Sequence, residues 1–282
     1  MSCFGGNHFF IIKTSVMQKI NCLLVLIFIM MISGRGHAQP DNRFRQPHSV
    51  NQFEVLVYTS PDRWHNISEP VALLEFQEMA QRHAFGMTWT TVNGMFNDRA
   101  LEQFDVIVFL HSTTRDFNDE QLQSFKKFIR NGGGFVGIHG ASAMTTECDW
   151  YRQLVGRVFT YHPEEQTAVM HVVDKNHPST MHLPDRWLWT DEWYAFGPEL
   201  TPGLNYLLTV DESTYDPRKT WGDDTRIAYM GDFHPIAWYH EFDGGRSFQT
   251  SLGHMPSLYR DSRFLDHIYG GIFWAATGLG VY

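Results

Sequence analysis

The sequence predicts an α/β fold: a doubly wound, mostly parallel sheet with loop-rich β additions in its second half. Three observations carry this expectation. Four strand-length apolar runs fall in the first half of the chain, amphipathic helical stretches lie between them, and glycine, asparagine and proline punctuate the boundaries. Strands alternating with helices fold most simply as parallel βαβ units with helices on both sheet faces.

Residues 53–58 (FEVLVY) suit a buried strand. A loop with Pro61, Trp64 and His65 follows. Pro70 fits the first turn of a helix running to about His83, with Val71, Leu74, Phe76 and Met79 facing inward. Residues 87–91 read as a second strand. Residues 105–110 (DVIVFL) read as a third, apolar enough to be covered on both faces. Asn118 is placed to cap a helix through about Arg130, with Leu122, Phe125, Phe128 and Ile129 inward, and Gly132, Gly133 and Gly134 stop it. Those glycines precede a strand, so they are not a dinucleotide-binding loop. Residues 135–139 (FVGIH) form the fourth strand. Beyond residue 165, strands are expected at 167–173, 205–210, 226–230, 237–241 and 246–251, joined by loops rich in Pro, Trp and His. Gly244-Gly245 reads as the hairpin turn between the last two, and residues 261–277 as a closing helix.

With 282 residues, 43% hydrophobic and 19% charged, the chain is neither a disordered tail nor a supercharged surface protein. An apolar run at 22–32 follows Lys13 and Lys19, and Gly36 and Ala38 stand at −3 and −1 of a cut before Gln39. That is the pattern of a secretory signal peptide over residues 1–38. Residues 39–51 read as a polar arm or linker and 52–282 as one α/β domain, so a periplasmic or secreted protein is expected. The alternative, a membrane anchor, is disfavoured because the run is short for a span of about 20 residues. No other stretch approaches a membrane span. The leader carries Lys13, Lys19 and Arg35 and no acidic side chain, so its removal makes the remainder more acidic than the formal −9 of the whole. Such a surface repels phosphate backbones and excludes nucleic acid as a partner. Cys3 and Cys22 fall in the leader, which leaves Cys148 alone and no intrachain disulfide in the mature chain.

In open α/β sheets, ligands gather beyond the carboxyl ends of the strands. There the sequence places Trp64 and His65 after the first strand, His111 after the third and His139 after the fourth. The later segments add His162, the run Asp191-Glu192-Trp193-Tyr194, Asp232 and His234, Trp238, and His254. The most specific piece is Gly137-Ile138-His139-Gly140-Ala141, a strand, a small-residue turn and a helix start, which is the elbow geometry that exposes a nucleophile in G-x-S-x-G enzymes. A histidine at the elbow serves as acid, base or metal ligand.

The order GGGFVGIHGAS, FTYHP, DEWY and HPIAWYHEFDGGRSFQTSLGHMPSLY resembles the ThuA-like (trehalose utilisation) family, over roughly residues 53–278. The resemblance implies a flavodoxin-like α/β sandwich of the class I glutamine-amidotransferase-like superfamily. It also implies a role in carbohydrate metabolism, with a 3-keto-glycoside as substrate. The elbow lacks the amidotransferase cysteine, so the reactions of the superfamily's cysteine enzymes do not carry over.

A 3-keto-glycoside has an acidified C2 proton, so cleavage by proton abstraction and loss of the C1 substituent needs a base, an acid for the leaving oxygen, and positive charge or a metal near the keto oxygen. His139, Glu192 and His162 are the candidates for proton transfer. Trp64, His65, His111, Trp193, His234, Trp238 and His254 are candidates for holding a small-molecule carbohydrate. A divalent metal ion is a further expectation, with His65, His162, His254 and Glu192 as candidate ligands. Neighbours on an extended chain alternate sides, so Glu192 rather than Asp191 is expected to face the ligand. Conventional glycosidase chemistry would instead pair Glu192 with Asp232 or Glu241 across about 5–10 Å. Trp150, Trp187, Trp189 and Trp274 read as packing residues. Two alternatives to this enzyme remain open from the sequence: a non-catalytic carbohydrate-binding protein using the same rim, and a hydrolase or amidotransferase using Cys148.

Overall fold

The computed structural model describes residues 50–60, 63–143, 148–222 and 225–280. The expected signal peptide, and residues 39–49 of the expected arm, lie outside the described residues. The first half contains β1 (Glu54–Tyr58), α1 (Ser68–Arg82), β2 (Gly86–Thr90), a single turn α2 (Asp98–Leu101), β3 (Val106–Leu110), α3 (Asp119–Arg130), β4 (Gly134–Ile138) and α4 (Asp149–Val155). The second half contains β5 (Phe159–Tyr161), β6 (Gln166–Val172), β7 (Arg186–Asp191), β8 (Ala195–Phe196), β9 (Asn205–Asp211), β10 (Pro235–Phe242), β11 (Gly245–Thr250) and α5 (Ser262–Thr277).

Nine strands form one sheet in the order β2-β1-β3-β4-β11-β10-β9-β6-β7, and β5 pairs with β8 separately. The first-half strands and β11 are parallel, as the alternation of strands and helices requires. From β10 onward every pairing is antiparallel, so the second-half β segments extend the same sheet. Each antiparallel step reverses direction. β7 and β9 therefore run with β4, while β6 and β10 run against it, and the carboxyl ends of β1, β3, β4, β11 and β7 reach one rim.

Side chains alternate across the sheet and separate the core into two layers. Val55, Val57, Val108, Val136 and Ile138 join one layer with Phe76 and Met79 of α1 and Ile268 and Ile272 of α5. Leu56, Tyr58, Ile107, Phe109 and Phe135 join the other with Phe125 and Ile129 of α3 and Tyr151 of α4. Asn118 caps α3 through a reciprocal pair with Gln121, and Gly132 stops it at a positive φ of 96° that suits glycine.

Several expectations are corrected. Leu74 points outward at 56% exposure, and Ala72 and Ala80 join Phe76 and Met79 on the buried face of α1, because the helix starts at Ser68 and packs through small residues. Residues 226–230 form no strand. The N–H groups of Met230 and Gly231 go to the Glu212 carboxylate instead of a ladder partner. The strands not expected are the short pair β5 and β8 and the edge strand β7, whose run RWLWTD lacks polar–apolar alternation and leaves Leu188 exposed. The hairpin turn falls one residue earlier than expected, with Asp243 and Gly244 at φ 51° and 93°.

Candidate functional site

Two histidines end adjacent parallel strands in the left-handed region: His111 after β3 (φ 56°) and His139 after β4 (φ 49°). That conformation costs a non-glycine residue about 1–3 kcal/mol and is concentrated at functional sites. The turns are interlocked. A Cβ on Gly140 would stand 3.1 Å from the Cα and carbonyl oxygen of His111, so any larger residue would press the two turns apart by a few tenths of an ångström.

Around these turns the loops enclose a hollow of about 1080 Å³, lined by His65, His111, His162, Glu192 and His254, with Trp64, Phe159 and Trp221 among its walls. His139 lies beneath it, fully buried. Its Nδ1–H donates to the Ser251 carbonyl at 2.6 Å, which leaves the lone pair on Nε2, where the Tyr194 hydroxyl donates at 2.8 Å. Glu192 Oε2 stands 3.3 Å from His139 Nε2 and 3.3 Å from His254 Nδ1, while Oε1 stands 3.6 Å from His162 Nδ1. His65 stacks on His111 with ring centroids 4.2 Å apart, and His111 Nε2 meets the Tyr259 hydroxyl at 3.1 Å.

Burial is the largest influence on each shifted group. It holds the imidazoles of His111 and His139 well below their ordinary range, reinforced by neighbouring histidines. It lowers His254 and raises the Glu192 carboxyl. Asp191 and Glu192 face opposite ways, as alternation requires. Asp191 turns into the protein, where it accepts the backbone N–H groups of Glu192 (2.9 Å), Gly253 (2.8 Å) and His254 (3.2 Å). Burial pushes its carboxyl up to about 7 against those donors. By gripping both segments, Asp191 ties the end of β7 to the loop after β11 and sets Glu192 beside His254.

Two sets of ligand atoms fall within 4.8 Å of one another: those of His65, His139 and His254, and those of Glu165, Glu192 and His254. The hollow thus holds proton carriers, cation ligands and aromatic walls together.

The family model described as ThuA, trehalose utilisation, matches residues 54–275, nearly all of the described chain. The chain belongs to the ThuA family. Among solved structures, this ThuA-family chain is similar to a ThuA-like protein of Bacteroides uniformis (23% identity, TM-score 0.66, 84% of this chain and 94% of that one). It is also similar to a ThuA-like protein of Parabacteroides merdae (19% identity, TM-score 0.64, 82% of this chain and 92% of that one). At these identities the likeness shows the shared fold. No curated protein sequence matches the chain. Membership places the protein in carbohydrate metabolism at the level of the family.

Not every expected residue reaches the hollow. Trp193 and Trp238 are fully buried, their indole N–H groups donating to the carbonyls of Gln166 and Val155, so neither offers a face to a sugar. His234 is a buried brace, with Nδ1 2.7 Å from Glu212 and Nε2–H donating to the Tyr194 carbonyl at 2.8 Å; it positions the tyrosine that touches His139. His139 itself is fully buried and does not line the hollow, which it meets only through Glu192, 3.3 Å from its Nε2. Asp232 and Glu241 are exposed and do not line the hollow, Glu241 because β10 carries it away from the rim. Cys148 precedes α4 and packs against the Leu56 layer, away from the lining residues. Conversely, Tyr194, Glu165 and Tyr259 carry no site signal in the sequence, and Asp191, turned away from the ligand by the alternation rule, shows its tethering role only in the structure. Tyr194 stood in the quoted DEWY run, but only its neighbours carried an obvious chemical signal. Among the described residues, no helix is long and apolar enough to cross a membrane.

Proposed function

We propose that this ThuA-family protein is an exported carbohydrate-processing enzyme that cleaves a glycoside or disaccharide in its 3-keto form. The carrying observation is one buried carboxylate, Glu192, set among three imidazoles at the floor of a sugar-sized hollow. Glu192 is the base. Burial raises its carboxyl and so strengthens it toward a carbon acid. It takes the C2 proton, and the electron pair enters the enolate whose charge rests on the keto oxygen. When the carbonyl re-forms, C1=C2 is made, the C1–O bond breaks, and His162 delivers a proton to the leaving oxygen. Addition of water across C1=C2 would turn this elimination into net hydrolysis. His65 and His254 line the hollow that would receive the keto oxygen, and Trp64 and Trp221 stand among its walls beside the sugar rings. Export rests on the leader pattern of residues 1–38.

Glu192→Gln keeps the shape and removes the base. Turnover of a 3-keto-glucoside is expected to fall by at least about 100-fold with unchanged circular dichroism. Turnover equal to that of the unsubstituted protein would overturn the assignment. A second reading is favoured by the exposed aromatic walls, Trp64 and Trp221 at 67% and 47% exposure: a carbohydrate-binding protein without catalysis. Calorimetric binding of glycosides with no turnover of keto or non-keto forms identifies it.

A further inference from the structure

The geometry points to a transition-metal site at the floor of the hollow, in which His65, His139 and His254 are the protein ligands of one divalent first-row ion, with Glu192 beside it. The three residues come from loops at the carboxyl ends of β1, β4 and β11, so they converge only through the parallel half of the sheet. Their ring centroids form a nearly equilateral triangle: 5.1 Å for His65–His139, 5.5 Å for His65–His254 and 5.3 Å for His139–His254. The rings are inclined to one another by 82°, 78° and 54°, so they do not stack as packed imidazoles would. Their donor atoms already lie within 4.8 Å of each other. Around a tetrahedral ion with metal–nitrogen distances of about 2.0–2.1 Å they would stand about 3.3 Å apart, a small side-chain adjustment.

The protons make the stronger argument. His139 spends its N–H on the Ser251 carbonyl, so Nε2 is the lone-pair nitrogen; it lies 3.3 Å from Glu192 Oε2 and accepts the Tyr194 hydroxyl proton, which an ion would displace. His254 Nδ1 faces the same oxygen at 3.3 Å and, although buried, has no hydrogen-bond partner. The Tyr194 hydroxyl supplies one proton, to His139 Nε2. His254 Nδ1 and Glu192 Oε2 still face each other without a hydrogen bond between them, an arrangement that a cation would satisfy, and an unpartnered buried nitrogen otherwise costs about 1–3 kcal/mol.

The surroundings are those of a ligand shell. A backbone carbonyl fixes the tautomer of His139, Asp191 holds the backbone of His254, and His111 backs the His65 ring at 4.2 Å. Three imidazoles select a zinc-like or other first-row ion over magnesium or calcium. Three protein ligands also leave coordination open toward the hollow, where a sugar oxygen can be polarised. The alternative group of Glu165, Glu192 and His254 is less enclosed, since the Glu165 side chain is 35% exposed.

This inference does not depend on which sugar is the substrate, and its test reads binding rather than turnover. The purified protein is stripped with a chelator and titrated with Zn²⁺ by calorimetry and with Co²⁺ by visible absorption. One ion per chain is expected, with the d–d bands of nitrogen-ligated Co²⁺ and a raised Tm. His65→Ala and His254→Gln should each weaken binding by about 100-fold or more with unchanged circular dichroism. His182→Ala, a surface imidazole whose Nε2 meets the Arg263 carbonyl, should leave it unchanged. No saturable binding, unchanged affinity in both ligand variants, or an equal loss in His182→Ala would each overturn the site. If one ligand variant fails to fold, the other decides. Failure of keto-glycoside turnover with intact ion binding would count against the proposed function and not against the ion.

Discussion

Among the described residues, two sets of histidines sit in contrasting surroundings. His139 and His254, with His65, meet at the floor of the hollow; His267 belongs to α5 and His177 lies near it, both buried. Both groups have imidazoles lowered chiefly by burial. The second group is separately housed. His177 Nδ1 meets Ser179 Oγ at 2.7 Å within a niche of Tyr239, Phe248 and Trp274. His267 Nδ1 meets the Ser179 carbonyl at 2.9 Å and its Nε2 meets Thr250 Oγ1 at 3.2 Å. Desolvation alone therefore does not mark a site. What distinguishes the first group is that its nitrogens face one another and a carboxylate, whereas His177 Nδ1 and both His267 nitrogens pair with Ser179 and Thr250 and only His177 Nε2 is left without a partner.

Three measurements sharpen the contrast. The largest effect is expected at His267→Ala, which leaves a cavity and two unpaired oxygen partners. Stability to urea should fall by about 3 kcal/mol, with ion affinity unchanged; a loss of ion binding would merge the two groups. Next, Asp191→Asn puts an amide N–H₂ opposite backbone N–H groups it cannot accept from. Stability should fall by about 2 kcal/mol, and Co²⁺ affinity and turnover should fall together, because Glu192 and His254 lose their common tether. Unchanged Co²⁺ affinity would show that Asp191 does not position the cluster.

The smallest effect, counted per histidine and per pH unit, is in the pH dependence. His177 and His267 have folded values of about 3 and about 4, both below the ordinary 6.5. Between those limits the unfolded chain binds more protons than the folded one, so stability must rise with pH across this window and fall as acid is added. Each histidine contributes about 1.4 kcal/mol per pH unit where only its unfolded form is protonated. Urea melts at pH 7, 6 and 5 measure the slope. A flat profile would mean that both imidazoles reach water.

The sequence by itself determined the parallel half of the protein. Strands β1 to β4, the Asn118 cap and the Gly132 stop are written in local apolar runs and turn chemistry, because burial on both faces and backbone conformation act over a few residues. Local logic also placed His65, His111, His139, His162, Glu192 and His254 at strand ends or in rim loops, and the alternation rule oriented Glu192 against Asp191. The tertiary structure decided which of those side chains share a space. It turned Trp193, Trp238 and His234 into packing and bracing groups, sank His139 below the hollow, made an edge strand of β7, and used Asp191 to join two segments 62 residues apart. Convergence of that kind depends on strand order and on long-range hydrogen bonds. No window of sequence contains either, because the partners become neighbours only after the sheet has formed.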